Sequence, residues 1–187
     1  KIKTEYRKIP EPGTDPQKIK GFLDEDVAPM PIFGKGFKAH VTSSCHDEYG
    51  KRNLIDISAL DNFIRKLSNK ILKHKEEIIL VERGYEGAEI VLVSYGAVAR
   101  AAAMAAAQAR KDGIPAGTLR LITVWPFPGE EIEKMARGAR HVIVLENNLG
   151  QIYPYIKAEA AHYAEVSFLP PRLVGEIQDP EDILRKI

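Results

Sequence analysis

Two loops and one strand-to-helix turn hold the residue types that do chemistry. The first loop, Thr42-Ser43-Ser44-Cys45-His46-Asp47-Glu48-Tyr49-Gly50, brings together a thiol, an imidazole and two carboxylates. A thiolate beside an imidazole is the pairing of a nucleophile with its base. Adjacent side chains on an extended backbone point to opposite sides, however, so Cys45 and His46 would need an unusual turn to communicate. The preferred reading is a structural loop or an interface hydrogen-bond hub made by His46, Asp47, Glu48 and Tyr49. As metal ligands, His46, Asp47 and Glu48 lack a second His or Cys cluster to complete the set. At the second position, Ser94-Tyr95-Gly96 stands between an apolar run and a helical pattern, with Arg100 one turn further on. Backbone N–H groups at such a helix start receive anions, although an N-cap is the plainer role and the one preferred. The third, Glu146-Asn147-Asn148-Leu149-Gly150-Gln151, offers a carboxylate, three amides and a glycine beside a helix start. That set suits either a polar ligand or the closure of an interface. Gly34-Lys35-Gly36 lacks the preceding strand and following helix of a phosphate loop and reads as a turn.

These residues need elements to position them. Apolar β-branched runs at Val91-Leu92-Val93, Leu119 to Val124 and Val142-Ile143-Val144-Leu145 alternate with helical patterns, which is how strands buried on both faces of a parallel sheet look in sequence. Strands are expected over residues 78–82, 89–94, 119–124, 141–145 and 165–169. Helices are expected over 97–111, from Gly129 to Gly138, over 151–163 and after Asp179, which caps a start with Pro180 in the first turn. Seven alanines between Ala101 and Ala109 let the first of these helices approach a sheet closely. Upstream, Ile57, Leu60, Ile64, Leu67 and Ile71 recur at helical spacing, so residues 57–75 form an amphipathic helix capped by Asp56 or Ser58. Its basic face, Arg65, Lys66, Lys70 and Lys73, reads as solvated. Before it, Pro10, Pro12, Pro16, Pro29 and Pro31 alternate with Gly13, Gly21, Gly34 and Gly36, which rules out a self-contained core. Phe22, Leu23, Met30, Ile32, Phe33 and Phe37 make this stretch an extended arm that packs on the following domain or on a partner. The resulting plan is an arm over 1–56, a connecting helix over 57–76 and an α/β domain over 77–187. The fold class is a three-layer, mostly parallel sheet with helices on both faces.

Composition narrows the functions. The 187 residues carry 27 Lys+Arg against 26 Asp+Glu, so a net charge of +1 provides no large basic footprint for nucleic acid. A single cysteine excludes an internal disulfide and a Cys-ligated iron–sulfur cluster or Cys₄ zinc site made by this chain alone, and fits a reducing cytoplasm. No apolar run approaches the roughly 20 residues that span a bilayer. The chain starts at Lys1 without a methionine, as part of a longer polypeptide would.

Taken jointly, the motifs resemble the α subunit of the 2-oxoacid:ferredoxin oxidoreductases, most closely of the 2-oxoglutarate type. Ser94-Tyr95-Gly96-Ala97-Val98-Ala99-Arg100 is similar to the family's S-Y-G-S-x-x-R, with Ala97 where serine is usual. Trp125-Pro126-Phe127-Pro128 is similar to its W-P-F-P and Glu146 to Gln151 to its E-x-N-x-G-Q. Thr42 to Gly50 is similar to T-G-x-E-H-D-E-x-G, with Ser43 for the usual glycine and Cys45 for the usual glutamate. The resemblance runs from about Pro29 to Ile187 and implies the linker and a domain similar to the C-terminal domain of transketolase. It implies oxidative decarboxylation of a 2-oxoacid on thiamin diphosphate, acyl transfer to coenzyme A, and electrons passed through iron–sulfur clusters to ferredoxin. Asn147-Asn148 is similar to the metal half of a thiamin motif, but no Gly-Asp-Gly stands upstream at the needed spacing. The resemblance implies that thiamin diphosphate, magnesium and the clusters sit on a β subunit or another chain, which agrees with one cysteine and no Gly-Asp-Gly, and that the pyrimidine-binding domain of the α subunit is a further partner in a homo- or hetero-oligomer. The expected role of this chain is assembly at the border of the active site, with no catalytic residue of its own. Two other readings stand beside it: a stand-alone Rossmann-like domain that binds a small anion, and the C-terminal domain of a ferredoxin-independent transketolase-like enzyme.

Overall fold

In a computed structural model, residues 6–15, 18–19, 28–37 and 39–187 are described; the features read at Pro16, Gly21, Phe22 and Leu23 lie outside them. The chain divides into two compact units, Lys1–His74 and Lys75–Ile187.

In the first unit the arm has no strand or α-helix among its described residues. Two of its passages are tied together, with the Met30 N–H donating to the Lys8 carbonyl at 3.0 Å. The 42–50 loop closes on itself. His46 and Arg52 form a bridge, and the Asn53 N–H reaches the Cys45 carbonyl at 3.0 Å. Helix α1 (Ile57–Leu72) starts at Asp56, whose carboxylate accepts the N–H groups of Ser58 and Ala59 at 2.9 and 3.2 Å. An oxygen at that position satisfies donors that the helix itself leaves unpaired. No residue of α1 is buried.

The second unit opens with α2 (Lys75–Ile78), a short helix with Glu76 and Glu77 in its first turn, across residues expected to end one helix and begin a strand. Acidic side chains favour a helix start, and the strand β1 (Val81–Gly84) accordingly begins three residues later than expected. There follow β2 (Ile90–Tyr95), α3 (Val98–Lys111), β3 (Ala116–Leu121), α4 (Gly129–Ala136), β4 (His141–Leu145), α5 (Tyr153–Ala160), β5 (Glu165–Leu169) and α6 (Pro180–Leu184). The five strands lie in the order β1-β3-β2-β4-β5. All neighbours are parallel except β1, which runs antiparallel to β3 at the edge.

Strand alternation divides the core into two layers. Val91, Val93, Leu119, Leu121, Val142 and Val144 face α4 and α5, where Ile132, Met135, Ile156 and Ala160 cover them. Ile90, Leu92, Ile143 and Leu145 face α3 and α6, against Ala102, Ala105, Ala106, Ala109 and Ile183. This is the expected three-layer, mostly parallel architecture, and it explains why β2 and β4 read as unbroken apolar runs. The strand expected over 119–124 lies three residues earlier, at Ala116–Leu121. β3 begins at Ala116, because Gly117 fits where any Cβ would lie 2.6 Å from the Tyr85 backbone. It ends at Leu121, because the N–H groups of Ile122 and Thr123 turn to the Leu80 carbonyl.

Candidate functional site

The chain leaves β2 through α3 on one face towards β3 and leaves β4 through α5 on the other towards β5, so the crossovers diverge between these two neighbouring strands. In open α/β sheets, ligands and functional groups gather outside the carboxyl ends of strands at such a point. Ser94-Tyr95-Gly96 ends β2 and Glu146 to Gln151 follows β4. The tertiary structure thus brings together two motifs about fifty residues apart in sequence.

Glu146 is the centre of the cluster and is 1 % exposed. Its carboxylate accepts the Tyr95 hydroxyl at 2.9 Å, the Ile152 N–H at 3.0 and 3.1 Å to its two oxygens, and the Tyr153 N–H at 2.8 Å. A carboxylate is thereby set against the start of α5, where the unpaired N–H groups and the helix dipole favour negative charge. Asn148 closes the other side. Its amide nitrogen donates to the Tyr95 oxygen at 2.7 Å, while its carbonyl accepts the N–H groups of Gly150 and Gln151 at 2.8 and 3.0 Å. Gly150 has φ +92°, a conformation other residues rarely adopt, with the Phe168 ring 3.4 Å from where a Cβ would sit. Burial, and then the hydrogen bond to Glu146, raise the Tyr95 phenol above its ordinary value; Asn148 opposes them.

Ser94 does not act as the N-cap. The residue before α3 is Ala97, with no side-chain cap, and the Ser94 hydroxyl is buried without a hydrogen-bond partner. Asn147 likewise has a buried carbonyl oxygen without one. Gly96 takes φ +61° to turn the chain into α3. Arg100 and Gln151 are exposed. In the Trp125 to Pro128 motif the Trp125-Pro126 bond is cis, the Trp125 ring is 62 % exposed, and the Phe127 ring packs 5.7 Å from that of Tyr155.

The loop with His46, Asp47, Glu48 and Tyr49 belongs to the first unit. The His46 ring is 8 % exposed, meets Phe63 edge-on at 4.7 Å and lies with Nδ1 2.9 Å from the Asp47 carbonyl. The Asp47 carboxylate accepts the N–H groups of Tyr49 and Lys51, both at 3.0 Å. These side chains build the turn itself. No group of three His, Cys, Asp or Glu side chains placed to hold a metal occurs among the described residues.

Sequence reading missed the part played by the backbone of Ile152 and Tyr153, which supplies donors to Glu146. The glycine and glutamine before them were the available signal, since they mark a loop that turns into a helix.

A family model described as pyruvate:ferredoxin oxidoreductase core domain II matches residues 88–183. The chain is 38% identical over 188 residues to the 2-oxoglutarate synthase subunit KorA of Methanothermobacter marburgensis, which covers 99% of this chain and 50% of the relative. It is also 38% identical to the subunit of that name from Methanocaldococcus jannaschii (88% and 44% covered). To the ketoisovalerate oxidoreductase subunit VorB of M. marburgensis it is 40% identical, over 71% of this chain and 38% of the relative. The chain spans about half the length of the curated relatives it matches. Among solved structures, a 2-oxoglutarate:ferredoxin oxidoreductase from Magnetococcus marinus superposes on 96% of this chain and 31% of its own, with a TM-score of 0.72 at 23% identity, a likeness of fold.

Proposed function

The chain belongs to the pyruvate:ferredoxin oxidoreductase core domain II family, and on that premise we propose that it is part of the α subunit of a 2-oxoacid:ferredoxin oxidoreductase of the 2-oxoglutarate type. The complex would decarboxylate 2-oxoglutarate oxidatively, transfer the acyl group to coenzyme A and pass the electrons to ferredoxin. The observation that carries this reading is the match to 2-oxoglutarate synthase subunits over nearly the whole chain.

Within the complex this portion serves assembly and borders the active site. Glu146 supports that role: a catalytic carboxylate needs an oxygen open to substrate, and both of its oxygens are taken by Tyr95, Ile152 and Tyr153. The network holds the turn after β4 and the start of α5 as one rigid surface, to which Tyr95, Asn148 and Gln151 contribute. The loop of His46 to Tyr49 offers a second such surface. Thiamin diphosphate, magnesium and iron–sulfur clusters do not fit the residues of this chain. One cysteine falls short of the four thiolates of a cluster, and no Gly-Asp-Gly stands upstream of Asn147-Asn148 to complete a thiamin diphosphate and magnesium motif. They belong on a β subunit, with the pyrimidine-binding part of the α subunit as a further partner, in a cytoplasmic assembly.

The test is affinity purification of the tagged chain from its native cells. An iron–sulfur, thiamin-binding chain should co-purify, and the preparation should reduce ferredoxin only when 2-oxoglutarate and coenzyme A are both present. A chain that purifies alone overturns the proposal. Equal activity with pyruvate or a branched 2-oxoacid overturns the choice of substrate.

A second reading is favoured by one observation, the buried and unpartnered Ser94 hydroxyl beside an uncapped α3. It makes the domain a stand-alone small-anion binder, which would purify without partners.

A further inference from the structure

We infer that the carboxyl end of the edge strand β5 carries a binding site for a small oxyanion of the phosphate type, built from Arg172, Gln178, Arg185 and Lys186. β5 ends at Leu169, and the chain between it and α6 borders an open cavity of about 480 Å³ with Leu169 and Pro170 as its apolar wall. Arg172, Arg185, Lys186 and a single carboxylate, Asp182, line the rest with Gln178. A volume of this size suits a small ligand, and the carboxyl ends of strands are where α/β sheets hold one.

The charges are arranged, not merely present. Asp182 stands between two guanidiniums, 2.8 Å from Arg185 and 3.8 Å from Arg172. One carboxylate orients both arginines and leaves two positive charges in excess once Lys186 is counted. Arg185 also approaches Glu181 at 3.6 Å, on an exposed side of α6.

Gln178 separates this cavity from an ordinary charged surface. It is 7 % exposed, and its amide nitrogen donates to the Leu169 carbonyl at 2.6 Å. That bond fixes which end of the carboxamide is which, since the reverse orientation would set two oxygens against each other. The carboxamide oxygen is left buried without a partner. An unpaired buried acceptor is unfavourable and calls for a donor. A protonated phosphate or a phosphate monoester with a neighbouring hydroxyl supplies one, while its charged oxygens meet the forked guanidiniums and the ammonium.

The experiment titrates inorganic phosphate into the full chain and follows binding by calorimetry and by backbone amide shifts, with sodium chloride at equal ionic strength as the control. Saturable binding with a Kd of about 1 mM or tighter, with shifts centred on Arg172, Gln178 and Lys186, is expected. Arg172→Gln and Lys186→Gln, both on the rim, should each weaken it by at least about tenfold, the loss of one charge-assisted hydrogen bond. Gln178→Glu, which adds a carboxylate at the floor, should abolish it. If that variant fails to fold, the two rim variants still decide the matter. No saturable binding, equal shifts with chloride, or binding unaffected by the rim variants overturns the inference. So does capture of a poly-glutamate peptide in the absence of phosphate binding, which would make the patch a protein contact.

Discussion

Glu146 gathers three donors from two elements onto one buried carboxylate, so its loss is felt twice, as missing bonds and as stranded N–H groups. Glu146→Gln keeps the shape but loses the charge and turns an amide nitrogen toward the start of α5. We expect a loss of about 3 kcal/mol in urea unfolding, against about 1 kcal/mol for Tyr95→Phe, which removes a single hydroxyl. The two side chains touch, so the double variant should lose less than the sum; strict additivity would show that the network is not a unit. Tyr95 also makes a pH prediction. Its folded value is raised above its unfolded one, so its contribution is fully present below the unfolded value of about 10 and disappears as pH climbs through the folded value. Tyrosinate absorbance should show a late-titrating phenol, and Tyr95→Phe should remove it. The types and spacing at Glu146 to Gln151 were enough to single the segment out. That Tyr95 was its partner was not readable, because a contact across two strands depends on the sheet order.

Elements succeed or fail here on how closely they approach one another. Seven residues of α3 are buried and six of these are alanines, at 99, 101, 102, 105, 106 and 109. Ala105, 1 % exposed in the layer it shares with Ile90 and Leu92 of β2, has no room for a longer side chain, and Ala105→Leu should lose about 2 kcal/mol by overpacking. Gly117→Ala sets a Cβ against the Tyr85 and Gly84 backbone at 2.6 and 2.8 Å, where no side chain can swing away. It should lose about 3 kcal/mol, more than Gly129→Ala, whose Cβ would meet only the flexible end of Glu159. Equal thermal midpoints for the two glycine variants would contradict this account. Hydrophobic periodicity identified α1, α3, β2, β4 and β5 well. It misplaced β1 and β3, since the apolar residues 78–80, Ile122 and Val124 flank those strands and the chain there is held by other bonds: the Thr123 hydroxyl donates to the Ile78 carbonyl at 2.6 Å.

At the scale of the whole molecule, the second unit, Lys75–Ile187, contains every strand found among the described residues and both buried layers of the sheet. Expressed alone it should unfold cooperatively in urea, with near-ultraviolet circular dichroism and fluorescence changing together; non-coincident transitions would show that its core is incomplete. Among the described residues, no helix is long and apolar enough to cross a membrane. The sequence by itself determined the fold class, because runs of β-branched residues and a dense alanine stripe have few ways to be buried other than a covered parallel sheet. It also determined family membership, through motifs that sit at strand ends. Only the tertiary structure decided that Tyr95 and Asn148 close on Glu146, that the Ser94 hydroxyl lacks a partner, and that Gln178 is buried beside three cations. The Tyr95 contacts join residues about fifty apart in sequence and are set by strand order and register, while the Ser94 and Gln178 environments are set by burial, which no local preference of the chain specifies.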